Sequence, residues 1–186
     1  MLEFMSTARR LHQTYDEYLE LLESSGRRFE FCDGQIYAMS GGTPEHAALA
    51  LALGAVLRQR LKGRCTVFSA DLKVRIESTD LSTFPDATVV CGERQTSPID
   101  RLAVTNPTIL VEVTSPSTED YDRGHKLSNY KQLPSLRAVL FVSHRRREIT
   151  LVERDGARWV EKVFLPGEDV VVAEPACAFP LDEVYE

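Results

Sequence analysis

The sequence predicts an α/β fold of the α+β kind, in which helices flank a mixed and largely buried central β-sheet. Two observations predict it. The elements run in the order helix, hairpin, helix, several strands, helix and further strands, which is typical of a mixed layered domain. The strand segments are rich in apolar residues, as expected where both faces of a sheet are covered.

Length and composition favour one globular domain. The chain has 186 residues, of which 43% are hydrophobic and 27% charged, and these values are ordinary for a single folded domain. We expect this domain to span 1–186, with a core at about 15–163, an N-terminal extension at 1–13 and a C-terminal tail at 165–186. The sequence shows neither a signal peptide nor a membrane span, so it predicts a cytoplasmic protein that has no membrane partner.

Local signals set the individual elements. A T-x-x-E sequence that begins at Thr14 has the form of a capping box. A D-G pair favours a tight hairpin turn, and a T-P pair suits the start of a second helix. The predicted elements are a helix over 14–24, a hairpin over 28–39, a helix over 44–61, strands at 65–69, 72–76, 84–90 and 108–114, a helix over 119–133, a strand at 138–142, a hairpin at 155–156 and a short closing element.

Charge and cysteine content exclude some classes of function. The net charge of −6 means that bulk charge does not indicate nucleic-acid binding, so any such binding must be local. Four cysteines are widely separated and form no C-x-x-C pair, which argues against a zinc or redox site. We expect them to be buried reduced thiols; they are Cys32, Cys65, Cys91 and Cys177.

Two carboxylates interrupt segments that otherwise indicate buried strands: Asp86 in F-P-D-A-T-V-V and Glu112 in I-L-V-E-V-T. A buried acid must be paired, protonated or bound to a cation. A structural ion pair is the commoner explanation for any single one. If the two strands are neighbours, however, both acids can hold one divalent ion such as Mg²⁺.

Two lysines follow on the predicted third helix, Lys126 and Lys131. A helix that packs back on the sheet can bring one of them to the acids. There an ammonium group can balance the carboxylates, orient water or stabilise charge on a phosphate. A lone lysine is generally an exposed residue. The sequence does not decide between a lysine that reaches the acids and one that is exposed.

Five blocks carry a family resemblance: R-F-E-F-C-D-G-Q-I, P-E-H-A-A-L-A-L-A-L, F-P-D-A-T-V-V, V-E-V-T-S-P-S-T and D-R-G-H-K-L-S-N-Y. In this order they resemble the Uma-two putative restriction endonuclease family of the PD-(D/E)XK nuclease superfamily. The resemblance implies a restriction-endonuclease-like core, with additional β-hairpins. The ordered set of blocks is specific, whereas a P-D pair alone carries almost no information.

The resemblance implies a metal-dependent endonuclease that hydrolyses phosphodiester bonds of nucleic acid, with DNA as the expected substrate and Mg²⁺ or Mn²⁺ as the cofactor. It places the catalytic groups at Glu30, Asp86, Glu112 and Lys126, and the three acids are the expected metal ligands. Most of the superfamily carries a lysine where this chain has Thr114. The resemblance therefore assigns the role of that lysine to Lys126.

Other residues are candidates for substrate binding. His46 begins the second helix, where the helix N-terminus favours anions. Arg123 and Lys131 are candidate phosphate contacts, as are the arginines at 145–147, although an exposed turn explains those three equally well. A homodimer is expected by analogy, because two active sites would cut both strands of a duplex.

Two other interpretations stay open. A catalytically inactive nuclease-fold module that binds nucleic acid or regulates a partner is favoured by the acidic balance and by Thr114. An acid/base enzyme such as a glycosidase would use Asp86 and Glu112, with their carboxyl groups about 5–9.5 Å apart.

Overall fold

The computed structural model describes residues 12–39, 41–115 and 119–185. Within them no helix is long and apolar enough to cross a membrane. The helices are α1 (Tyr15–Ser25), α2 (Pro44–Arg60) and a composite helical segment, α3, which consists of Glu119–Tyr121, a π-helical turn Asp122–Lys126, and Leu127–Tyr130. The strands before α3 are β1 (Phe29–Cys32), β2 (Gln35–Ala38), β3 (Cys65–Ser69), β4 (Lys73–Ile76), β5 (Leu81–Thr83), β6 (Ala87–Cys91), β7 (Ala103–Val104) and β8 (Ile109–Thr114). The strands after it are β9 (Ala138–Ser143), β10 (Ile149–Asp155), β11 (Arg158–Phe164), β12 (Asp169–Val172) and β13 (Cys177–Pro180).

The strands form two mixed sheets and one hairpin. The larger sheet has the order β11-β10-β9-β8-β6-β3, and the smaller one has the order β2-β1-β5-β4-β7. In the larger sheet β8 and β9 run parallel, and in the smaller sheet β4 and β7 do. Each other neighbouring pair is antiparallel. Strand β8 lies inside the larger sheet, and all six of its residues are buried.

The larger sheet has an apolar cluster on each face. On one face Ile109, Val111 and Val113 pack with α2 and the β12–β13 hairpin. On the other face Leu110 packs with residues of α3 and β4. Because side chains alternate along a strand, Glu112 lies on the same face as Leu110. The fold thus turns this carboxylate toward α3 and the smaller sheet.

The local signals at the N-terminal end act as predicted. The capping box of α1 is complete, since the Thr14 hydroxyl accepts from the Glu17 N–H and the Glu17 carboxylate accepts from the Thr14 N–H. Asp33 and Gly34 both have positive φ, 45° and 73°, as a tight hairpin turn requires. The hairpin matters because β1 carries Glu30.

Two elements differ in extent from the prediction. The strand expected over 84–90 begins only at Ala87, and a separate strand at 81–83 belongs to the smaller sheet. Pro85, which lies between the two strands, has no N–H to donate to a sheet ladder. The third helix ends at Tyr130 rather than at 133 and contains a π-helical turn. The S-P-S-T loop that precedes it falls largely at 116–118, outside the described residues.

The C-terminal segment is part of the core. Residues 165–185, which we expected as a tail, form β12, β13 and a short 3₁₀ turn. Val170, Phe179 and Leu181 are fully buried against α2 and the larger sheet. Their strands are short and are interrupted by prolines, so the alternation of apolar and polar residues in the sequence is weak there.

The prediction of reduced thiols is wrong for two of the cysteines. Cys65 and Cys91 form a disulfide. The register of β3 and β6 places them directly opposite each other, with their Cα atoms 4.1 Å apart. Their separation of 26 residues in the chain gives no sign of this pairing, because it arises from the strand register. Cys32 and Cys177 are free thiols.

Candidate active site

A cleft of about 1400 Å³ opens between α2, the β1–β2 hairpin and α3. It contains five of the ten residues that the sequence offered as candidates for catalysis or substrate binding. These five are Glu30, His46, Asp86, Glu112 and Lys126. The β1–β2 hairpin, α2, the start of β6, β8 and α3 each contribute one of them. The fold thus assembles at one place residues that are up to 96 positions apart in the chain (126 − 30).

The Lys126 amine lies at the centre of a group of carboxylates. Its Nζ atom is 3.1 Å from Glu30 Oε1, 3.0 Å from Glu112 Oε1 and 3.7 Å from Asp122 Oδ1. All four side chains are nearly inaccessible to solvent. We call these four residues the lysine–carboxylate cluster. Asp122 was missed by the sequence reasoning, although its i,i+4 spacing from Lys126 is a recognisable signal of a helical ion pair.

The helical segment α3 places the lysine in this cluster. Its π-helical turn runs from Asp122 to Lys126, and both of these end residues are buried. Turns of this kind are often found at functional sites. Thr114, at the position where the superfamily usually has lysine, is buried on β8, and its hydroxyl donates to the Val142 carbonyl at 3.5 Å. The lysine amine therefore reaches Glu112 from α3 rather than from β8.

Three hydroxyl groups hold the carboxylates of the cluster. Tyr130 is fully buried and donates a hydrogen bond to Glu112 Oε1. Thr83 donates to Glu30 Oε1, and Tyr121 donates to Glu30 Oε2 at 3.3 Å. The sequence reasoning missed all three. Tyr130 follows Lys126 by four residues, so helical spacing could have placed it on the same side of α3.

Asp86 lies opposite Glu112 at the edge of the cluster. The antiparallel register of β6 and β8 pairs Ala87 with Val111, so one further step sets Asp86 across from Glu112. Opposed residues of antiparallel strands project to the same face with Cβ atoms about 5 Å apart. Asp86 Oδ2 also accepts the backbone N–H of Val113 at 2.7 Å. Both acids are therefore fixed side by side on one face of the larger sheet.

His46 contacts this second carboxylate. Its Nε2 atom lies 2.8 Å from Asp86 Oδ1. The hydrogen bond to Asp86 raises the pKa of the imidazole, while partial burial opposes the shift. Thr43 caps α2 by accepting the His46 N–H at 3.3 Å, which fixes the first turn of the helix. In the structure His46 thus orients Asp86, whereas the sequence predicted a phosphate contact for it.

Acids are in excess over bases in this part of the cleft. Burial raises the pKa of Glu112 to about 8, with Asp86 and Asp122 adding to the shift and Lys126 opposing it. Burial also disfavours the Lys126 ammonium, yet the surrounding acids hold the lysine pKa well above its ordinary value. Lys126 is therefore a stable cation, and a further positive charge beside Asp86 and Glu112 would stabilise these two acids.

The donor chemistry at Asp86 and Glu112 fits a hard divalent ion. Mg²⁺ prefers oxygen ligands and is commonly held by one or two carboxylates together with water. Within the described ranges, no set of three or more His, Cys, Asp or Glu side chains forms a complete metal cage. Glu30, the expected third ligand, is held by Lys126, Thr83 and Tyr121, much as Asp86 is held by His46 and the Val113 N–H. Asp86 and Glu112, which the strand register sets opposite each other, are the residues that would hold the ion.

Arg123 and Lys131 lie elsewhere. The Arg123 guanidinium pairs with Glu119 at 3.2 Å, donates to Thr150 Oγ1 at 2.8 Å and covers the Phe141 ring. It thereby ties α3 to the larger sheet. The Lys131 amine lies 5.9 Å from the centre of the Trp159 ring on β11. Neither residue lines the cleft, so the structure does not bring these two predicted phosphate contacts to the acids.

The arginines at 145–147 occupy the turn between β9 and β10. Arg146 pairs with Glu148 at 3.0 Å and Arg147 with Asp182 at 2.7 Å. None of the three lines the cleft. His144, just before them, does line it, directly after the end of β9.

Comparison with known proteins gives consistent matches. The sequence model of the Uma2 family, described as "Putative restriction endonuclease", matches residues 15–182. The uncharacterized protein slr1290 of Synechocystis is 35% identical over 175 residues, covering 91% of this chain and 90% of that protein. The uncharacterized Synechocystis protein sll1609 is 26% identical over 160 residues, covering 86% and 90%.

A solved structure shares the fold. It is the crystal structure of "a putative nuclease belonging to DUF820" from Anabaena variabilis, with a TM-score of 0.72 and 18% sequence identity. The match covers 91% of this chain and 96% of that one. At this level of identity the likeness concerns the fold, and it confirms the predicted fold class.

Proposed function

Because the chain belongs to the Uma2 family of putative restriction endonucleases, we propose that it is a metal-dependent endonuclease that hydrolyses phosphodiester bonds of nucleic acid, with DNA as the substrate. One observation carries the proposal. The amine of Lys126 lies within 3.1 Å of both Glu30 and Glu112, in an open cleft that also exposes Asp86. A purely structural ion pair needs neither further acids around it nor a position at the wall of a cleft.

In this proposal Asp86 and Glu112 hold one Mg²⁺ or Mn²⁺ ion. When bound, the ion supplies Lewis-acid polarisation of the scissile phosphate. The chain has both ligands in place beforehand, since His46 and the Val113 N–H hold Asp86 and the Tyr130 hydroxyl holds Glu112. Outer partners of this kind commonly support ligand orientation and affinity.

Lys126 acts as a cation rather than as a base. Its carboxylate neighbours raise the pKa of its ammonium, so it keeps its protons near neutral pH. It is therefore suited to orient the attacking water or to offset the negative charge that develops on the phosphate. Glu30 is suited to hold the lysine amine, which it contacts at 3.1 Å.

The test is cleavage of plasmid and oligonucleotide DNA with Mg²⁺, with Mn²⁺ and with EDTA. Glu112→Gln should lower the rate on the order of 10²-fold or more, in line with the loss of a group that stabilises the transition state. The matched control is Glu153→Gln, because Glu153, like Glu112, is a buried glutamate paired with a lysine. Its second partner is a backbone N–H, that of Ala173. Glu153 lies outside the cleft, and its substitution should leave the rate per folded molecule unchanged. A wild type that neither binds a divalent ion by calorimetry nor cuts nucleic acid would end the nuclease proposal.

The competing proposal is a nuclease-fold module that binds nucleic acid or regulates a partner without turnover. It is favoured by the absence, within the described ranges, of a three-ligand metal group. Binding of oligonucleotides without cleavage in either metal would support it. The glycosidase alternative is disfavoured, because family membership and the lysine between the acids both favour phosphodiester chemistry.

Homodimer formation and a cytoplasmic location remain predictions from the sequence. The dimer is checked by multi-angle light scattering, in which a mass near 42 kDa, about twice the 20.9 kDa chain, is expected.

A further inference from the structure

Helix α2 is apolar around nearly its whole circumference. Every residue between His46 and Arg58 is apolar, in the sequence A-A-L-A-L-A-L-G-A-V-L. A helix with this composition is normally covered on all sides. Only one side of α2 is covered, however, with Leu53 and Leu57 fully buried. Leu51 on another side is 75% exposed and lines the same cleft as Lys126.

The β1–β2 hairpin continues this apolar surface. Tyr37 pairs directly with Glu30 in the antiparallel register, so both side chains project to the same face. The Tyr37 ring is 49% exposed and lines the cleft. We define the apolar wall of the cleft as Tyr37, Ala47, Leu51, Ala55 and Phe68. It leads from the exposed α2 face and the hairpin to the lysine–carboxylate cluster.

Cationic groups stand beside this wall. Arg27 and Arg58 are exposed and line the cleft, and neither forms an ion pair with any other described residue. By contrast, Arg60, one turn beyond the wall, is paired with Glu183 at 2.8 Å. The cleft thus offers a few unpaired guanidinium groups around an apolar surface, rather than a broad basic face.

On these observations we infer that the substrate of this site is a single strand of nucleic acid, whose unpaired bases lie on the apolar wall while its phosphates face Arg27 and Arg58. The inference rests on the proposed function. In a duplex the bases stack inside, so the charged backbone would face Leu51 and its neighbours, which is unfavourable. An unpaired base offers a flat face that stacks on an aromatic ring such as that of Tyr37 whatever its sequence, and the same apolar face can cover Leu51.

The overall charge agrees with this choice. Binding to a duplex draws most of its affinity from phosphate contacts made by many lysines and arginines. This chain has a net charge of −6 and only two unpaired arginines among the described residues that line the cleft. Stacking supplies affinity that needs no net positive charge, and it is available only to an unpaired strand.

The test is fluorescence anisotropy with a labelled 20-nucleotide DNA, used as a single strand and as its duplex, with Ca²⁺ in place of Mg²⁺. We expect the single strand to bind at least about tenfold tighter. Leu51→Glu and Tyr37→Ala should each weaken it by about 5- to 50-fold, the loss typical of one stacked base. Tyr37→Phe, which keeps the ring, should retain the affinity. A 2-aminopurine placed in the strand should change its fluorescence on binding to wild type and not to Tyr37→Ala.

The matched control is Leu102→Glu, because Leu102 is 78% exposed and lies outside the cleft; it should bind the strand like wild type. Equal or tighter binding of the duplex would overturn the inference. The inference would also be overturned if the Leu51→Glu variant binds the strand normally but is a monomer in light scattering where wild type is a dimer, since the wall would then be a protein interface. These outcomes are separate from failure of the nuclease proposal, which is measured as cleavage. If the protein cuts duplex DNA and Leu51→Glu does not change its activity, the nuclease proposal stands and the inference of a single-stranded substrate fails.

Discussion

Two buried lysines of this protein are held in different ways. Lys126 lies among three carboxylates at the wall of the cleft. Lys73, on β4 of the smaller sheet, has one carboxylate partner, Asp100, at 2.5 Å. The Tyr15 hydroxyl donates to the same Asp100 oxygen at 2.8 Å. Both lysines are shielded from water, so the number of acids, rather than burial, separates the two regions.

The second region is balanced in charge. Next to Lys73, the Arg75 guanidinium pairs with Asp80 at 2.5 Å and lies 3.8 Å from the centre of the Tyr15 ring. Two cations thus meet two acids, and none of these groups lines the cleft. Such a cluster has no charge left for a ligand. The Lys126 region differs in having more acids than cations and in lining the cleft, and this difference is testable.

The largest expected effect is on stability, in the balanced region. Lys73→Met leaves Asp100 buried without its ammonium partner, and breaking a buried pair in this way typically costs about 3–5 kcal/mol. We expect a lower urea midpoint for unfolding and an unchanged cleavage rate per folded molecule. Lys62→Met is the control, because Lys62 is exposed in the turn after α2 and should shift stability by less than about 0.5 kcal/mol. Equal losses in both variants would contradict the distinction.

A smaller effect, on activity, is expected at the other lysine. Lys126→Met keeps most of the side-chain volume but removes the cation, so the cleavage rate should fall by about 10²- to 10³-fold. The rate is measured per folded molecule, with circular dichroism to count the folded fraction. Lys131→Met, a change of the same kind just after the C-terminal end of α3, should retain the rate. If Lys131→Met loses the cleavage activity and Lys126→Met retains it, the catalytic lysine is Lys131.

A still smaller effect concerns the hydroxyl that holds Glu112. Tyr130→Phe keeps the buried ring and removes its hydrogen bond to that carboxylate. We expect affinity for Mn²⁺, measured by calorimetry, to fall by about 10- to 100-fold, as is usual for an outer partner of a ligand. Tyr18→Phe is the matched control, because the equally buried Tyr18 donates to the Phe29 carbonyl outside the cleft. Unchanged Mn²⁺ affinity in Tyr130→Phe would remove Glu112 from the metal site.

The smallest expected effect is a pH dependence of the balanced region. Burial disfavours ionised Asp100, but Lys73 and the Tyr15 hydroxyl hold the carboxyl pKa below its ordinary value. A depressed pKa contributes stability above the ordinary pKa of about 3.9, and this stability is lost as the pH falls through the folded-state pKa. Asp100→Asn should therefore flatten the fall in unfolding free energy as the pH is lowered below about 5. If the unfolding free energy of Asp100→Asn falls with pH as steeply as that of wild type, other groups are responsible for the acid sensitivity.

The sequence predicted those features that depend on a few neighbouring residues. The capping box at Thr14, the Asp33-Gly34 turn and the Pro44 helix start are local, and each has the expected structure. The position of Glu112 in a buried strand was also readable, since a carboxylate among β-branched residues is conspicuous.

What the sequence could not predict depends on packing between distant elements. Apart from the family resemblance, no local signal distinguishes Lys126 from Lys131, and it is the docking of α3 on the larger sheet that separates them. Arg123 looked free, yet its partners lie on β10 and β11, at Thr150 and Glu161. The Cys65–Cys91 disulfide likewise follows from strand register.

The π-helical turn at Asp122–Lys126 accommodates one residue more than an ordinary helical turn does. An α-helix has 3.6 residues per turn, and the wider i→i+5 bonding of a π-turn takes up about one extra residue. Deleting Gly124 would therefore convert the turn to ordinary helix and leave the two ends of α3 in nearly their present orientation. Asp122 and Lys126 would then be three residues apart, a spacing that still supports an ion pair, so the turn absorbs its extra residue without taking the lysine away from its acids.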